Sequence, residues 1–173
     1  MTVTAAQLCF CLSGGAANSD VNLSIGGTSS TTTISDATLN NLFDDVSAAE
    51  AASGNSEYRG IFLYLSNSSD TLTNARVWIS ASTTAPGDEF YLITDSKGLC
   101  TGARTTHTMS SCSNEDTTAS GMGGTWRTTS QYITLGNMTP TSSYPVWIHR
   151  SVSVGAGSYA NNSGTIAWDG ETA

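Results

Sequence analysis

The sequence predicts an all-β protein: an immunoglobulin-like antiparallel β-sandwich with an extended N-terminal arm and one short helical segment. Three observations carry this expectation. Two long segments, 57–80 and 144–172, alternate apolar and polar residues, and each holds a Val-Trp-Ile core. That period of two sends successive side chains to opposite faces of a strand. Six or seven such strands fall within about 110 residues with no helix among them, which is the number and spacing of a sandwich. Elsewhere the chain is dominated by small hydroxyl residues, with Ser and Thr supplying 52 of 173 positions.

Taken in order, residues 7–12 (QLCFCL) read as a short strand. Residues 13–35 hold four glycines and almost no large apolar side chain. A segment of that kind buries little surface on its own, so it reads as an arm that takes its structure from a neighbour. Helical signals are confined to 36–54. Ser47-Ala-Ala-Glu50 fits a capping box, and Gly54 suits the position that ends a helix. Leu39, Leu42, Phe43 and Val46 have the spacing of one helical face.

The strands follow. Residues 58–66 are apolar on both faces, as a central strand requires. Asn67-Ser-Ser-Asp70 is a turn. Residues 74–81 place Ala75, Val77 and Ile79 on one face, with Arg76 and Trp78 on the other. Pro86-Gly87 is a turn, and 89–94, 131–136, 145–154 and 164–169 are further strands. Ile61, Leu63, Val77, Ile79, Val146 and Ile148 are expected to face the inter-sheet core. Residues 1–56 are expected to pack on an edge of the sandwich formed by 57–173. Residues 95–125 form a polar insert within it.

Charge excludes some partners. The net charge is −8, charged residues are 12% of the chain, and Lys97 is the single lysine. Five scattered arginines do not make the clustered cationic surface that phosphates need, so neither nucleic acid nor an anionic membrane is an expected partner. No apolar run reaches the roughly 18–20 residues that span a bilayer. The N-terminus lacks a basic region and has only a short apolar run, so it does not read as a signal peptide, and Met1 reads as a true start.

Candidate chemistry is sparse. Cys100 and Cys112 bracket an 11-residue polar loop and are the candidate disulfide. Cys9 and Cys11, at i and i+2, face one side of a strand and do not easily pair with each other. They read as small buried hydrophobes, with intersubunit cross-linking as the alternative. Their spacing matches no zinc motif, so no metal or other cofactor is expected. His107 and His149 read as surface or rim residues, and no nucleophile elbow accompanies them. The acidic pairs Asp44-Asp45, Asp88-Glu89 and Glu115-Asp116 read as solvated turns rather than a calcium site or catalytic carboxylates. Trp78, Trp147 and Trp168 read as sheet packing, whereas Trp126, after Gly-Gly, is the possible surface contact. Asn22, Asn67, Asn137 and Asn161 fit the glycosylation pattern, as chance matches in a hydroxyl-rich chain.

Three segments carry a resemblance: LSGGAANSDVNLSIGG, then TISDATLNNLFDDVSAAEAASGNSEYRGIFLYLSNSSDTLTNARVWIS, then YPVWIHRSVSVGAGSYANNSGTIAWDGET. Together they resemble small structural proteins encoded among the virion genes of tailed bacteriophages. The insert at 98–125, with its two cysteines, departs from that pattern. What the resemblance implies is a non-enzymatic virion component, such as a capsid decoration or cement protein or another head or tail surface protein. Its partners would be major capsid or tail proteins and copies of itself. Such a protein is assembled in the host bacterial cytoplasm and released by lysis, which needs no signal peptide. The alternative is a carbohydrate-binding or adhesive module that touches a bacterial surface through loop aromatics.

Overall fold

A computed structural model describes residues 2–157 and 162–172. Ten strands form three antiparallel sheets: β1 (Leu8–Leu12), β2 (Gly26–Thr28), β3 (Asn55–Leu65), β4 (Leu72–Ala81), β5 (Asp88–Asp95), β6 (Thr108–Ser111), β7 (Met122–Arg127), β8 (Ile133–Met138), β9 (Ser143–Val152) and β10 (Thr165–Thr172). The main sheet runs β1-β3-β9-β5-β7, the second β10-β4-β8, and β2 pairs with β6. The fold is thus an all-β sandwich, with a small third layer.

The core lies between the two larger sheets. Ile61, Leu63, Val77, Ile79, Val146 and Ile148 all face it and are essentially inaccessible. Period-two patterning therefore selected the correct face of β3, β4 and β9. Pro145 sits in β9 opposite Phe62 of β3, at a level where β5 no longer pairs with β9. A proline, which lacks a ladder donor, is tolerated there because one side of the strand is free of β5.

The opposite face of the main sheet is also covered. Phe62, Ile93 and Trp147 point there and pack with Met109, Cys112 and Ala119 from the insert. The closest approach is at Gly60, where an added Cβ would lie 2.8 Å from Met109 Cε and 3.2 Å from the Gly26 amide nitrogen. β2 and β6 therefore lie directly against β3. Their residues are Gly, Ser and Thr with one Met, so hydropathy alone did not reveal them as strands. β7 went unrecognised because Gly123-Gly124 break its alternation, and Trp126 stands within it rather than in a loop.

Residues 13–35 do not project as an arm awaiting a neighbour. Ser13, Ser24, Ser29 and Ser30 are fully buried. Ser13 N–H donates to Ser24 Oγ, Ser24 Oγ–H to Gly60 O, and Gly26 N–H to Ser13 Oγ. Residues 30–34 run alongside β1: Ser30 N–H donates to Leu12 O, Leu12 N–H to Thr32 O, and Ile34 N–H to Phe10 O. The segment gains its order from hydrogen bonds between small hydroxyl side chains and backbone, a source of burial that apolar content does not register.

The helix α1 (Ala48–Ser53) has the expected cap. Ser47 and Glu50 exchange hydrogen bonds, and Gly54, at φ 77°, ends it. The preceding stretch is not helical. Ala37 and Asn40 adopt positive φ (53° and 56°), which breaks a right-handed helix. Its apolar residues divide: Leu42 is buried while Leu39 is exposed.

Two outcomes are expected. Gly60→Val should cost about 1–3 kcal/mol in denaturant melts, because the added methyls meet Met109 and a backbone nitrogen. In the isolated chain, the amides of Ser13, Gly26, Ser29 and Ser30 should exchange as slowly as those of β3; exchange within seconds would show that the segment is not held.

Candidate functional site

Strand register builds a row of rings across the main sheet. Tyr58 of β3 and Tyr91 of β5 both stand directly opposite His149 of β9. The Tyr58 and His149 rings stack at 4.5 Å with an 11° interplanar angle, and Tyr91 stacks on the other side of His149 at 5.4 Å. Trp126 of β7 completes the group, with its ring 5.4 Å from His149 and 6.0 Å from Tyr58. All four side chains are half-buried. Trp126 thus packs against the sheet and shows part of its ring, so it is less exposed than the sequence suggested.

Burial pushes the His149 pKa below the ordinary histidine value. Its Nε2 is buried with no hydrogen-bond partner among the described residues. Tyr91 donates to the Glu89 carboxylate, and that bond raises the tyrosine pKa. The arrangement is a stacking surface with one neutral imidazole at its centre and a carboxylate at its rim. It borders β7, an edge strand of the main sheet. Such a surface can receive a flat or ring-bearing group, or the side chains of a neighbouring protein.

The remaining polar residues serve the fold. His107 is buried, not at a rim: its Nδ1 lies 2.8 Å from Ser143 Oγ, and both residues are at 0% exposure. A serine–histidine pair sealed in this way has no path to a substrate. Asp88 is also buried rather than solvated, held by the Arg150 guanidinium at 3.3 and 3.2 Å. Glu115 pairs with the buried Arg59 at 2.5 Å. Asp95 accepts the Trp147 indole N–H at 2.9 Å, together with the Ser110 amide at 3.1 Å and its hydroxyl.

All four cysteines are free, including the Cys100 and Cys112 pair expected to form a disulfide. Cys100 donates to the carbonyls of Gly98 and Thr108. The insert is held instead by Asp95, by the β2–β6 pairing and by reciprocal backbone bonds between Cys100 and Ser143. Cys11 is buried as expected, whereas Cys9 is half-buried. Among the described residues, no group of three or more His, Cys, Asp and Glu side chains is placed to hold a metal. Asn67, within one glycosylation match, is buried, and Asn161 lies outside the described residues.

Compared with protein-family models, curated proteins and solved structures, the chain matches none. The site therefore rests on its own geometry. Trp126 was visible in the sequence; Tyr58, Tyr91 and His149 were not, because cross-strand register brings them together and one sequence does not state register.

A pH test follows from His149. Its folded pKa is depressed, so the unfolded chain binds the proton first, and stability is lost as pH falls through 6.5. His149→Phe keeps the stack and removes the titrating ring. Melts between about pH 6.5 and 5 should show a smaller acid loss in the variant than in the parent. Identical slopes would show that His149 is not desolvated.

Proposed function

We propose that the chain is a non-enzymatic structural protein of a bacteriophage virion, with an immunoglobulin-like sandwich. In this reading it is a capsid decoration or cement protein, or another head or tail surface component, that acts by protein–protein assembly. The observation that carries the reading is the disposition of strand edges. The β1 edge is closed by the chain's own residues 30–34. By contrast β7, β8 and β10 end their sheets with no further strand among the described residues. Unpaired edges are the natural attachment points for a neighbouring chain, and monomeric proteins usually blunt them. Exposed Leu23, Leu39 and Val154 add apolar contact surface. The phage-like segments and the hydroxyl-rich surface fit the same reading. Attachment is assigned to sheet edges and faces, since residues 13–35 are engaged within the chain.

The second reading, a carbohydrate-binding or adhesive module, draws on the rings of Tyr58, Tyr91 and Trp126 beside Glu89. Stacking on sugar faces uses such rings.

Mass spectrometry of purified particles from the encoding phage should find the chain in many copies, and stripped particles should rebind it. Thr134→Lys with Asn137→Lys charges two exposed positions of edge strand β8. The double variant should fold normally and bind particles at least about ten-fold more weakly, because charges on an edge oppose strand addition. Unchanged binding would remove β8 as the attachment edge, and absence from particles would remove the virion reading. Retained glycan binding that Trp126→Ala abolishes would favour the adhesive module.

A further inference from the structure

Cys9 and Cys11 are brought together on the side of β1 that faces away from the main core. Their cross-strand partners are Tyr64 and Phe62. The two sulfurs lie 3.5 Å apart, in contact but not bonded. Cys9 is half-buried and Cys11 fully buried, so Cys9 is the more accessible of the two thiols. A cation stands beside them: the Arg104 guanidinium lies over the Tyr64 ring at 4.5 Å, and its Nε has no hydrogen-bond partner among the described residues.

We propose that Cys9 and Cys11 are a redox-active dithiol, which closes to an intrachain disulfide on meeting a low-molecular-weight disulfide and reopens with excess thiol. The accessible Cys9 thiolate attacks one sulfur of R–S–S–R. That S–S bond breaks, and one R–S⁻ departs and takes up a proton. Cys11 then loses its proton and attacks Cys9 Sγ in the mixed disulfide, expelling the second R–S⁻, which is protonated in turn. The two cysteines give up two electrons and two protons in all, and R–S–S–R receives them as two R–SH.

The surroundings assign the roles. The Cys11 thiol donates toward Cys9, and with Thr33 and Arg104 it brings the Cys9 pKa down to about 6. The same bond, with burial, holds Cys11 protonated. Once Cys9 enters the mixed disulfide its charge is gone and that restraint on Cys11 ends. Cys100 and Cys112 differ: burial raises both, Cys112 to about 11.

Closure has a geometric cost that makes it reversible. On an extended strand the Cα atoms of i and i+2 are about 6.7 Å apart, at the upper end of what a disulfide spans. The bridge therefore strains β1, and strained bridges are the readily reduced ones. This chemistry is independent of the assembly role.

The test uses the full reduced chain and oxidised glutathione, followed by alkylation of residual thiols under denaturing conditions and mass spectrometry. The expected product has lost two hydrogens, carries alkyl groups on Cys100 and Cys112 alone, and reverts with dithiothreitol. In the folded chain at neutral pH, iodoacetamide should modify Cys9 at least about ten-fold faster than Cys100. Cys11→Ser should stop at a glutathione adduct on Cys9. Four alkylated cysteines after oxidation, a bond that uses Cys100 or Cys112, a disulfide between two chains, or comparable reactivity at Cys9 and Cys100 would each overturn the proposal. The wild-type measurements decide it even if the serine variant does not fold.

Discussion

A strand that is apolar on both faces must be covered twice, and β3 and β9 impose that demand on the whole molecule. Ile61 and Leu63 face one way and Phe62 the other; Val146 and Ile148 oppose Trp147 in the same manner. The second sheet covers one face. The other falls to segments with few large apolar residues, the N-terminal segment and the insert. Their third layer sits close because Gly60 leaves room for Met109 and for the β2 backbone. Trp147 shows how it is locked. Its indole N–H would be an unsatisfied donor in an apolar layer, at a cost of about 1–3 kcal/mol. Asp95 accepts it and also holds Ser110 of β6, so one carboxylate ties the insert to the central strand.

A second constraint is ionic. Arg59, Arg150, Glu57 and Asp88 are all buried near one end of the main core. Both guanidiniums approach the Phe43 ring, Arg59 at 5.2 Å and Arg150 at 5.9 Å from its centroid. Backbone carbonyls of Leu42 and Asp44 accept from the same arginines. These bonds fix the irregular stretch before α1, where the apolar side chains suggested a helix. Desolvation raises the Glu57 pKa to about 7 despite Arg150 at 3.7 Å. Its folded pKa lies above the unfolded value, so its contribution to stability declines as pH rises from 4.5 toward 7. Removing one partner of such a buried set leaves an uncompensated charge, so the cluster is organised more as a specifier of geometry than as a source of net stability.

These two features mark the limit of what the sequence made legible. Val77, Ile79, Val146 and Ile148 were readable because period-two alternation is a direct projection of burial. Ser47, Glu50 and Gly54 were readable because a capping box is local chemistry. β2 and β6 were hidden because they are built almost wholly on Gly, Ser and Thr, and β7 because Gly123-Gly124 interrupts any alternation; backbone pairing leaves little trace in side-chain hydropathy. Buried Ser13 and Ser24, in the segment read as an arm, and His107, read as surface or rim, were missed for a related reason: each is held by a hydrogen bond to a residue outside its own local stretch. The ring stack around His149 depends on register between β3, β9 and β5, which alternation alone does not determine.

The two ends of the outer sheet face are chemically unlike, and the closure of the edges explains why. At β7 the edge is open, and neutral rings there can meet a partner. At β1 the edge is stitched by residues 30–34, and the two thiols beside it lie against each other. Arg104 joins that stitching to the thiols, since its guanidinium donates to Ser30 O, lies over Tyr64 and adds to the Cys11 and Thr33 hydrogen bonds that lower the Cys9 pKa. Ser30 in turn donates its amide to Leu12 at the end of β1. Oxidation would remove the thiolate that Arg104 faces and shorten the span between two residues of β1. Both changes act on the strand whose pairing holds the N-terminal segment in place. The β1 thiols and the residues that close that edge thus share one neighbour, Arg104.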